Sequence, residues 1–420
     1  MIATPKPAGT EAASTRCCVV GGGPAGVMLG YLLARAGIAV TVLEKHADFL
    51  RDFRGDTVHP STLQILDELG LSREFERVPQ NRVDHLGVRI GGRIQPLVDF
   101  RGLKPFAYLA LVPQWDFLDF MTAQAKARYP QFDLRMQHEA VGLVEDAGRV
   151  AGVRVRSPSG ESQVRADLVV ACDGRHSTLR QASGLQVTDF GCPIDVLWLR
   201  VSRRSADAED TLGVVGANHL MVMLNRNDYW QIAYIVPKGS DRALRVRPIA
   251  ELRASIGALA PFLQERLAAE LTSWDQAKTL EVRVDRLERW HRPGLLLIGD
   301  AAHAMSPVGG VGINLAIQDA VAAANALIPD LRAGGAIGED RLQAIQKRRL
   351  LPTKVVQALQ IQIHKRVIAR ALGSWDAAPE VPALLRWLLG FRAVRHLPAR
   401  LVGYGIRREH VAAADRLVRF

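Results

Sequence analysis

The segment from Arg16 to Lys45 constrains the fold of this chain more than any other, because it reads as a strand, a glycine-rich turn, a helix and a second strand. In order, these pieces are RCCVV, GGGPAG, VMLGYLLARA and IAVTVLEK. Gly37 follows the helix, at a position where glycine commonly ends one. Two strands joined by a crossover helix pair in parallel through a right-handed connection. The segment therefore predicts an α/β layer built on a parallel sheet.

The turn between the first strand and the helix carries the pattern G-x-G-x-x-G, filled by Gly21, Gly23 and Gly26. The first glycine allows the tight turn, the second lets the backbone approach a pyrophosphate, and the third lets the helix pack closely on the strand. Pro24 and Ala25 open the helix, whose N-terminal N–H groups and positive dipole end attract phosphates. The pattern predicts a dinucleotide site.

An acidic residue follows these glycines at a suitable distance. Glu44 ends the second strand roughly 20 residues further on, where a carboxylate can accept hydrogen bonds from both ribose hydroxyls. Lys45, beside it, is interpreted either as a phosphate contact or as a surface residue. The fingerprint does not distinguish NAD from FAD.

A second glycine cluster lies between Gly294 and Ala320, in the stretch GLLLIGDAAHAMSPVGGVGINLAIQDA. Asp300 follows an apolar strand, at the edge where open α/β sheets bind ligands. Gly309, Gly310 and Gly312 allow the backbone to pass close to a flat ligand before an alanine-rich helix begins. We interpret this stretch as a second turn that holds a ligand.

A third motif, ACDGRHSTLR, lies between the two turns and fills the pattern D-G-x-x-S-x-x-R with Asp173, Gly174, Ser177 and Arg180. Together and in this order, the three motifs resemble those of the class A flavoprotein aromatic hydroxylases, the para-hydroxybenzoate hydroxylase family. The resemblance extends from Arg16 to Asn325.

The resemblance implies an α/β fold with a Rossmann-like FAD-binding domain built from discontinuous segments, an inserted β-rich substrate domain and a C-terminal helical region. The implied FAD-binding segments are 16–83, 104–185 and 286–330, the substrate domain takes 84–103 and 186–285, and the basic helical region takes 331–420. Residues 1–15 lack the apolar segment of a secretion signal and are expected to form a disordered tail.

The resemblance also implies roles for residues of the second glycine cluster. Asp300 is expected to bind a ribityl hydroxyl of FAD. The helix that begins at Gly312, Ile313 and Asn314 is expected to direct its positive end at the N1–C2=O edge of the flavin, which favours the reduced form. Pro307 is expected to lie beside the ring and is the one residue with an implied catalytic role.

Further cofactor contacts are implied elsewhere in the chain. They are Arg54 near the pyrophosphate or the ring, Gln114 at the head of a helix that touches the flavin, Val141 at the adenine, and Asp173 with Gly174 in the middle motif. Asp173 and Arg180 are also implied as nicotinamide contacts.

The implied reaction is a monooxygenation that uses FAD, NADPH or NADH, and O2. A flavin C4a-hydroperoxide transfers OH to a small aromatic, lipophilic or polyketide-like substrate. A phenolic substrate needs a base, for which His59, His219, Tyr234 and His303 are candidates without an assignment. An FAD-dependent reductase or dehydrogenase, and a non-catalytic flavoprotein that sequesters a hydrophobic ligand, are the alternatives.

The strand YWQIAYIVP lies where the related flavin halogenases carry W-x-W-x-I-P. Trp230 is present, but the second tryptophan is missing, so halogenation is not expected. The strands of this region also carry large apolar residues that form either a lipophilic pocket or the core of a sheet. These residues are Leu197, Trp198, Met221, Met223 and Leu224.

The positive charge of the chain is concentrated near its C-terminal end. The formal net charge is +11, and residues 341–420 hold sixteen Lys and Arg against four Asp and Glu, so the rest is close to neutral. The segment VPALLRWLLGFRAVRHLPARLVGYGI mixes apolar residues with arginines. It predicts either a helical cover on the FAD domain or a peripheral contact with an anionic membrane. Nucleic acid binding is not expected, because no groove-reading or stacking motif accompanies the charge.

The cysteines Cys17, Cys18, Cys172 and Cys192 show neither metal-ligand spacing nor a disulfide framework. No apolar run in the sequence approaches the roughly 20 residues that span a bilayer. We therefore expect no metal site and a cytoplasmic protein, with association at the membrane periphery as the alternative.

Overall fold

The computed structural model describes residues 13–50, 57–90, 93–207, 212–216, 219–368 and 392–412. Two large sheets dominate this part of the chain, one mainly parallel and the other mainly antiparallel. Helices cover both sheets and form the described part of the C-terminal region. The expected fold class, an α/β layer with an added β-rich layer and a helical C-terminal region, is confirmed.

The elements are numbered along the chain. The strands are β1 (Ala13–Val20), β2 (Val40–Leu43), β3 (Thr57–Val58), β4 (Asn81–Val83), β5 (His85–Ile90), β6 (Arg93–Asp99), β7 (Leu109–Leu111), β8 (Phe132–Arg135), β9 (Glu139–Asp146), β10 (Arg149–Ser157), β11 (Gly160–Ala171), β12 (Val187–Asp189), β13 (Ile194–Ser202), β14 (Leu212–Gly216), β15 (His219–Asn225), β16 (Tyr229–Pro237), β17 (Lys278–Leu280), β18 (Asp285–Leu287), β19 (His291–Arg292) and β20 (Leu295–Leu297). The α-helices are α1 (Pro24–Arg35), α2 (Pro60–Glu68), α3 (Ser72–Phe75), α4 (Gln114–Arg128), α5 (Thr178–Ser183), α6 (Asp241–Arg245), α7 (Ile249–Leu259), α8 (Gln264–Glu270), α9 (Gly312–Ala333), α10 (Glu339–Ile363) and α11 (Arg392–Tyr404).

The mainly parallel sheet has the order β19-β20-β11-β1-β2-β8, and β10 and β9 extend it antiparallel from β11. The central strand β1 shows why its sequence is continuously apolar. Cys17 and Val19 enter the core under α1, α4 and α9, whereas Cys18 and Val20 enter a second core on the other face. A strand that is buried on both faces has no solvent side to place polar residues on.

The mainly antiparallel sheet has the order β17-β13-β16-β15-β14-β5-β6, with β14 and β5 as its parallel pair. The segment from about 190 to 285 is mainly antiparallel sheet, as its sequence predicts, and it also contains the helices α6, α7 and α8. In α7 the apolar residues Leu252, Ile256 and Leu259 recur at helical spacing and pack on one face of this sheet. They cover the face that points away from the parallel sheet.

The strands of the second sheet lie within the segments expected for a substrate domain. β5 and β6 fall within 84–103, and β13 to β17 fall within 186–285. The pair β12–β18 forms a small ribbon where the chain passes between the two layers. The domain boundaries themselves stay a prediction.

The most apolar helical region, Val308–Ala333, is long and apolar enough to cross a membrane by length and composition. It is instead mostly buried inside the protein, because α9 packs between α1 and α10. It is therefore a core helix.

The described part of the C-terminal region packs onto the rest of the protein. Ala399 and Tyr404 of α11 are fully buried, and the Tyr404 hydroxyl accepts a hydrogen bond from Phe106 N at 3.1 Å. Farther on, Glu409 is buried and pairs with Arg348 and Arg349 of α10. Between residues 392 and 412, the chain thus covers the parallel-sheet layer.

Candidate functional site

The three glycines of the first turn differ in what the protein requires of them. Gly21 has a φ of +106°, and a Cβ there would lie 2.4 Å from the Cys172 carbonyl oxygen. A Cβ on Gly26 would lie 1.9 Å from the Gly21 carbonyl oxygen. Gly23 has an ordinary φ of −76°, and a Cβ there would meet no described atom within 4 Å. Contacts within the protein require glycine at Gly21 and Gly26. At Gly23 no such contact exists among the described residues, and a ligand lying against the backbone would explain the glycine.

Glu44 is held at the end of β2, facing this turn. Its carboxylate accepts hydrogen bonds from Gly22 N at 3.0 Å and His46 N at 3.1 Å. Its carbonyl accepts from His138 N at 2.8 Å, which joins it to the start of β9 and places Val141 nearby on that strand. Lys45 is exposed. Carboxylate oxygens beside a glycine turn suit ribose hydroxyls.

The two glycine turns meet at Gly299, just before Asp300. Gly299 has a φ of +59°, and a Cβ there would contact the Cβ atoms of Ala316 at 3.2 Å and Ala25 at 3.4 Å. Ala25 lies in the first turn of α1 and Ala316 at the start of the second turn of α9, so the N-terminal parts of the two helices converge on one groove. Neither helix carries a side-chain cap among the described residues. The N–H groups of their first turns have no partner within the helix.

Asp300 lies in this groove, partly buried, and connects it with the middle motif. Its Oδ2 accepts from Arg175 Nη2 at 3.2 Å. Arg175 also donates to the Glu281 carbonyl at 3.1 Å. The sequence motif does not single out Arg175, because this residue fills one of its unspecified positions. The only signal available was its charge inside a glycine turn, where Gly174 has a φ of +82°.

The other charged residues of the middle motif form hydrogen bonds within the protein. Asp173 accepts from Ser177 Oγ and from Leu179 N at 3.2 Å, and so caps α5; burial raises the pKa of its carboxyl. Arg180 is 8% exposed and donates to Asp285 Oδ1 at 3.0 Å and to the Arg175 carbonyl at 2.6 Å. Both hydrogen bonds engage the Arg180 guanidinium inside the protein, and its expected contact with the nicotinamide cofactor stays a prediction.

The second turn runs from Pro307 into α9 and presses against β3. Gly309 and Gly310 have φ values of +82° and +61°, and a Cβ on Gly310 would lie 2.3 Å from Thr57 Oγ1. A Cβ on Gly312 would meet no described atom within 4 Å, so this glycine, like Gly23, faces open space. Both ends of the groove therefore expose glycine backbone that a ligand can approach.

The Asn314 side chain makes its hydrogen bonds with the start of α2 and with β3, whereas the role expected of the start of α9 concerns its backbone N–H groups. Its Oδ1 accepts from His59 N at 2.8 Å and Thr62 Oγ1 at 2.7 Å, and its Nδ2 donates to the Thr57 carbonyl at 2.9 Å. Asn314 thereby fixes β3 and α2 against the start of α9. Ile313 packs on the main core, so both residues can offer a ligand only their backbone N–H groups.

Gln114 lies at the same corner. It begins α4, three residues after Leu111, whose strand pairs with Thr57 of β3. Thr57 Oγ1 in turn donates to the Gly310 carbonyl at 2.9 Å. Arg54 lies outside the described residues.

One face of the antiparallel sheet opposes the second turn and is here called the front face. Its buried members are Trp198, Ala233 and Ile235, and its partly buried members are Leu220, Val222 and Leu224. Trp198 pairs with Ala233, which pairs with Val222, so these side chains form a continuous row across three strands. Val308, directly after Pro307, packs on this face. The large apolar residues seen in the sequence therefore divide, because Leu197, Met221 and Met223 belong to the core on the opposite face.

Each of the four candidate bases forms a hydrogen bond within the protein. Tyr234 donates to or accepts from His219 Nδ1 at 2.6 Å, but Tyr234 belongs to the opposite core, away from the second turn. His303 is buried against Asp319 at 2.6 Å, and Asp319 is bound in turn by Arg349 Nε at 2.8 Å. His59 is fully buried, which lowers its pKa to about 4.

The groove fits an extended dinucleotide such as FAD. It presents two uncapped helix N-termini, a carboxylate at each end in Glu44 and Asp300, and glycine backbone at Gly23 and Gly312 that internal packing does not require. Among the described residues, no group of three or more His, Cys, Asp or Glu side chains is placed to hold a metal ion.

Comparison with known proteins agrees with this geometry. A family model described as an FAD binding domain matches residues 14–359. The 6-methylpretetramide 4-monooxygenase of Streptomyces rimosus is 33% identical over 411 residues, which is 96% of either chain. The anhydrotetracycline monooxygenase of Streptomyces rimosus is 29% identical over 323 residues, 72% of this chain and 60% of that protein. P. aeruginosa PqsL, solved in complex with 2-aminobenzoylacetate, superimposes with a TM-score of 0.74 at 22% identity, covering 86% of this chain and 98% of that one. From its motifs, its fold and these relatives, we conclude that this chain belongs to the FAD binding domain family, is one of its aromatic hydroxylases, and is an FAD-dependent monooxygenase.

Proposed function

We propose that this monooxygenase uses NAD(P)H and O2 to hydroxylate a fused-ring aromatic substrate of polyketide type, bound between the second turn and the front face. The observation that carries the proposal is the packing of Val308 on the front face. It brings the turn beside Pro307, where the family holds its flavin ring, against an apolar surface. A flat apolar substrate would lie along this surface, beside the Val308 contact.

The roles proposed for the cofactor-binding residues follow the groove. Gly21, Gly23, Pro24, Ala25 and Gly26 would hold the pyrophosphate, and Glu44 a ribose, with Val141 near the adenine and Lys45 at the surface. Asp300 would hold the ribityl chain, and the turn from Pro307 to Gly312 would hold the ring, with Gln114 beside it. The position of Arg175 beside Asp300 supports adding it to this set.

When bound, FAD supplies the redox chemistry, namely hydride uptake from NAD(P)H and activation of O2. The contribution of the protein is to orient the substrate and to exclude water from it. The side chains of Trp198, Ala233 and Ile235 form a buried, largely apolar surface, and Val308 packs on this row from the turn side. Excluding water at this point favours oxygen transfer to substrate over loss as peroxide.

The proposed substrate class rests on the size of the front face and on the relatives. The side chains of Leu220, Val222 and Leu224 alternate along β15 and span roughly 13 Å at about 3.3 Å per residue. That length suits several fused rings better than one. Two relatives are named for pretetramide and tetracycline substrates, which supports the same class.

For the reductant, we propose that the exposed part of the middle motif is the contact with NAD(P)H. Arg180 would act indirectly, because it holds the Arg175 carbonyl through its guanidinium. Asp173 would act by capping α5 beneath the same loop. Arg175 and His176 are the members that reach solvent.

For the basic C-terminal region, we propose that it serves as a helical cover and makes no membrane contact, so that the enzyme works in the cytoplasm. Support comes from the buried residues Ala399, Tyr404 and Glu409, which anchor it to the parallel-sheet layer. Residues 369–391, which include part of the amphipathic segment, lie outside the described residues.

The test is to incubate the FAD-loaded protein in air with NADH or NADPH and a panel of tricyclic and tetracyclic phenols, and to measure product mass. A gain of one oxygen atom per reductant consumed is the expected result. Reductant consumption that yields only peroxide with every fused-ring compound, but product with a single-ring phenol, would contradict the substrate class. Consumption without oxygen in any product would favour the reductase alternative.

A further inference from the structure

A row of buried polar side chains lies along one face of α10. Gln346, Gln357, Gln360 and His364 are each 9% exposed or less. They are separated by three, four or eleven residues, which places them on the same side of a helix. All four contact the segment between Asp285 and Val308, which leads into the second turn.

Gln360 spans Pro307 within this row. Its Nε2 donates to the Ser306 and Val308 carbonyls, each at 2.9 Å, and its Oε1 accepts from Ser306 N at 3.2 Å. Pro307 has no N–H of its own to anchor it, and its carbonyl accepts from Gly310 N at 2.9 Å. One side chain therefore fixes both neighbours of the proline.

His364 holds the same segment from the next helical turn. Its Nε2 lies 2.8 Å from Ser306 Oγ, and its Nδ1 lies 3.6 Å from Cys192 Sγ. At this point α10 changes to a π-helical turn, His364–Ile368. Such turns are frequent at functional sites, since the added residue redirects the side chains around it. Gln360 therefore forms hydrogen bonds with the backbone of Ser306, and His364 forms one with its hydroxyl.

We propose that Gln360 is a positioning residue for the hydroxylation reaction. By fixing Ser306 and Val308, it sets where Pro307 stands beside the flavin ring and where the Val308 side chain meets the front face. The inference rests on the proposed function, because that function places the ring and the substrate on either side of this turn. A purely structural role would instead make any buried glutamine of the row equivalent to Gln360.

Gln357 provides the matched control. It lies on the same helix face, is 1% exposed against 2% for Gln360, and also makes three hydrogen bonds. Its Nε2 donates to the carbonyls of Asp285 at 2.7 Å and Ala304 at 3.1 Å, and its Oε1 accepts from Arg286 Nη1 at 2.6 Å. These partners precede Ser306, so Gln357 supports the fold without spanning Pro307.

The experiment compares Gln360→Met and Gln357→Met with the wild-type holoenzyme. Methionine keeps the length and packing of the side chain and removes its hydrogen bonds. The measurements are thermal unfolding, the visible absorption spectrum of the bound flavin, and the rate of anaerobic flavin reduction by NADH or NADPH. Gln360→Asn, which is one methylene too short to bridge both carbonyls, provides a milder variant should Gln360→Met not fold.

Both methionine variants are expected to lower Tm to a similar extent. The Gln360 variants alone are expected to shift the absorption bands of bound FAD and to change the reduction rate at least three-fold. A wild-type spectrum and rate in the Gln360 variants, or the same change in Gln357→Met, would overturn the positioning role alone. A wild-type protein that binds no FAD, or binds it without reduction by NAD(P)H, would overturn the proposed function and this inference with it.

Discussion

His59 Nδ1 donates a hydrogen bond to the Val402 carbonyl at 2.7 Å, across 343 residues of sequence. His59 directly precedes α2, at the corner where Asn314 ties the second turn to β3, and Val402 lies in α11. The C-terminal helix is therefore anchored beside the proposed flavin site through a buried neutral imidazole. Because a protonated imidazole is costly to bury, this contact ties the stability of the protein to pH.

His59 is expected to destabilise the protein in acid. Burial lowers its pKa in the folded state to about 4, against an ordinary value near 6.5, so the unfolded state binds the proton more readily. Above pH 6.5, neutral His59 makes its full contribution to the free energy of unfolding. That free energy falls as the pH drops towards 4, and the loss is about 2 kcal/mol at pH 5. Denaturant unfolding at pH 7.5 and pH 5 should show this extra loss in the wild type and not in His59→Gln, which keeps an N–H donor for Val402. An equal loss in both proteins would contradict the assignment.

Gly23→Ala is expected to weaken FAD binding, whereas Gly26→Ala is expected to destabilise the fold. A Cβ on Gly23 meets no described atom within 4 Å, so the alanine should cost at most about 1 kcal/mol of stability. It should nevertheless weaken FAD binding ten-fold or more, because the methyl group occupies the path of the pyrophosphate. A Cβ on Gly26 would lie 1.9 Å from a carbonyl oxygen and should cost about 1–3 kcal/mol.

Fluorescence titration with FAD and denaturant unfolding of each apoprotein separate the two glycine effects. Unchanged FAD affinity in Gly23→Ala would argue against a ligand at this turn.

The buried pair Arg180–Asp285 is expected to act on stability. Their side chains are 9% and 6% exposed, so Arg180→Met leaves a buried carboxylate without its cation and should cost about 3–5 kcal/mol. Replacing both residues with apolar ones, as in Arg180→Met with Asp285→Leu, should recover a large part of that loss. Unfolding measurements on the two single variants and the double variant test this. The KM for NADPH of the refolded double variant tests the role proposed for Arg180 at the reductant site; an unchanged KM would contradict that role.

Val222→Trp is expected to block substrate without disturbing the cofactor. Val222 lies on the front face and is partly buried, so an indole there fills the space beside Trp198 and Ala233. Product formation should fall at least ten-fold, while FAD affinity stays within two-fold of wild type. Leu97→Trp is the control, because Leu97 is 59% exposed on another strand of the same sheet. Loss of FAD in Val222→Trp, or loss of product in the control, would show that the front face is not a separate substrate surface.

The glycine pattern predicted the cofactor layer because the turn that it describes is built within a short segment of chain. A φ of +106° at Gly21 and the contact of Gly26 with the Gly21 carbonyl are set within six residues of chain. Periodicity found β13, β15 and β16 for the same reason, since alternation is a property of the strand itself. It missed α7 and α8 because their apolar spacing stands inside a strand-rich region whose overall pattern dominated.

The two glycine turns, the acid at the end of β2 and the apolar strand before Asp300 are local patterns, and they are enough to predict a dinucleotide site. Which of the remaining polar residues face that site depends on how distant segments of the chain pack. Arg180 donates a hydrogen bond to Asp285, 105 residues away, and Asn314 accepts one from His59, 255 residues away. Gln360 spans Pro307 from α10, more than 50 residues away. A buried polar side chain must satisfy its hydrogen bonds, and its partners are chosen by how distant segments pack, which no short motif records.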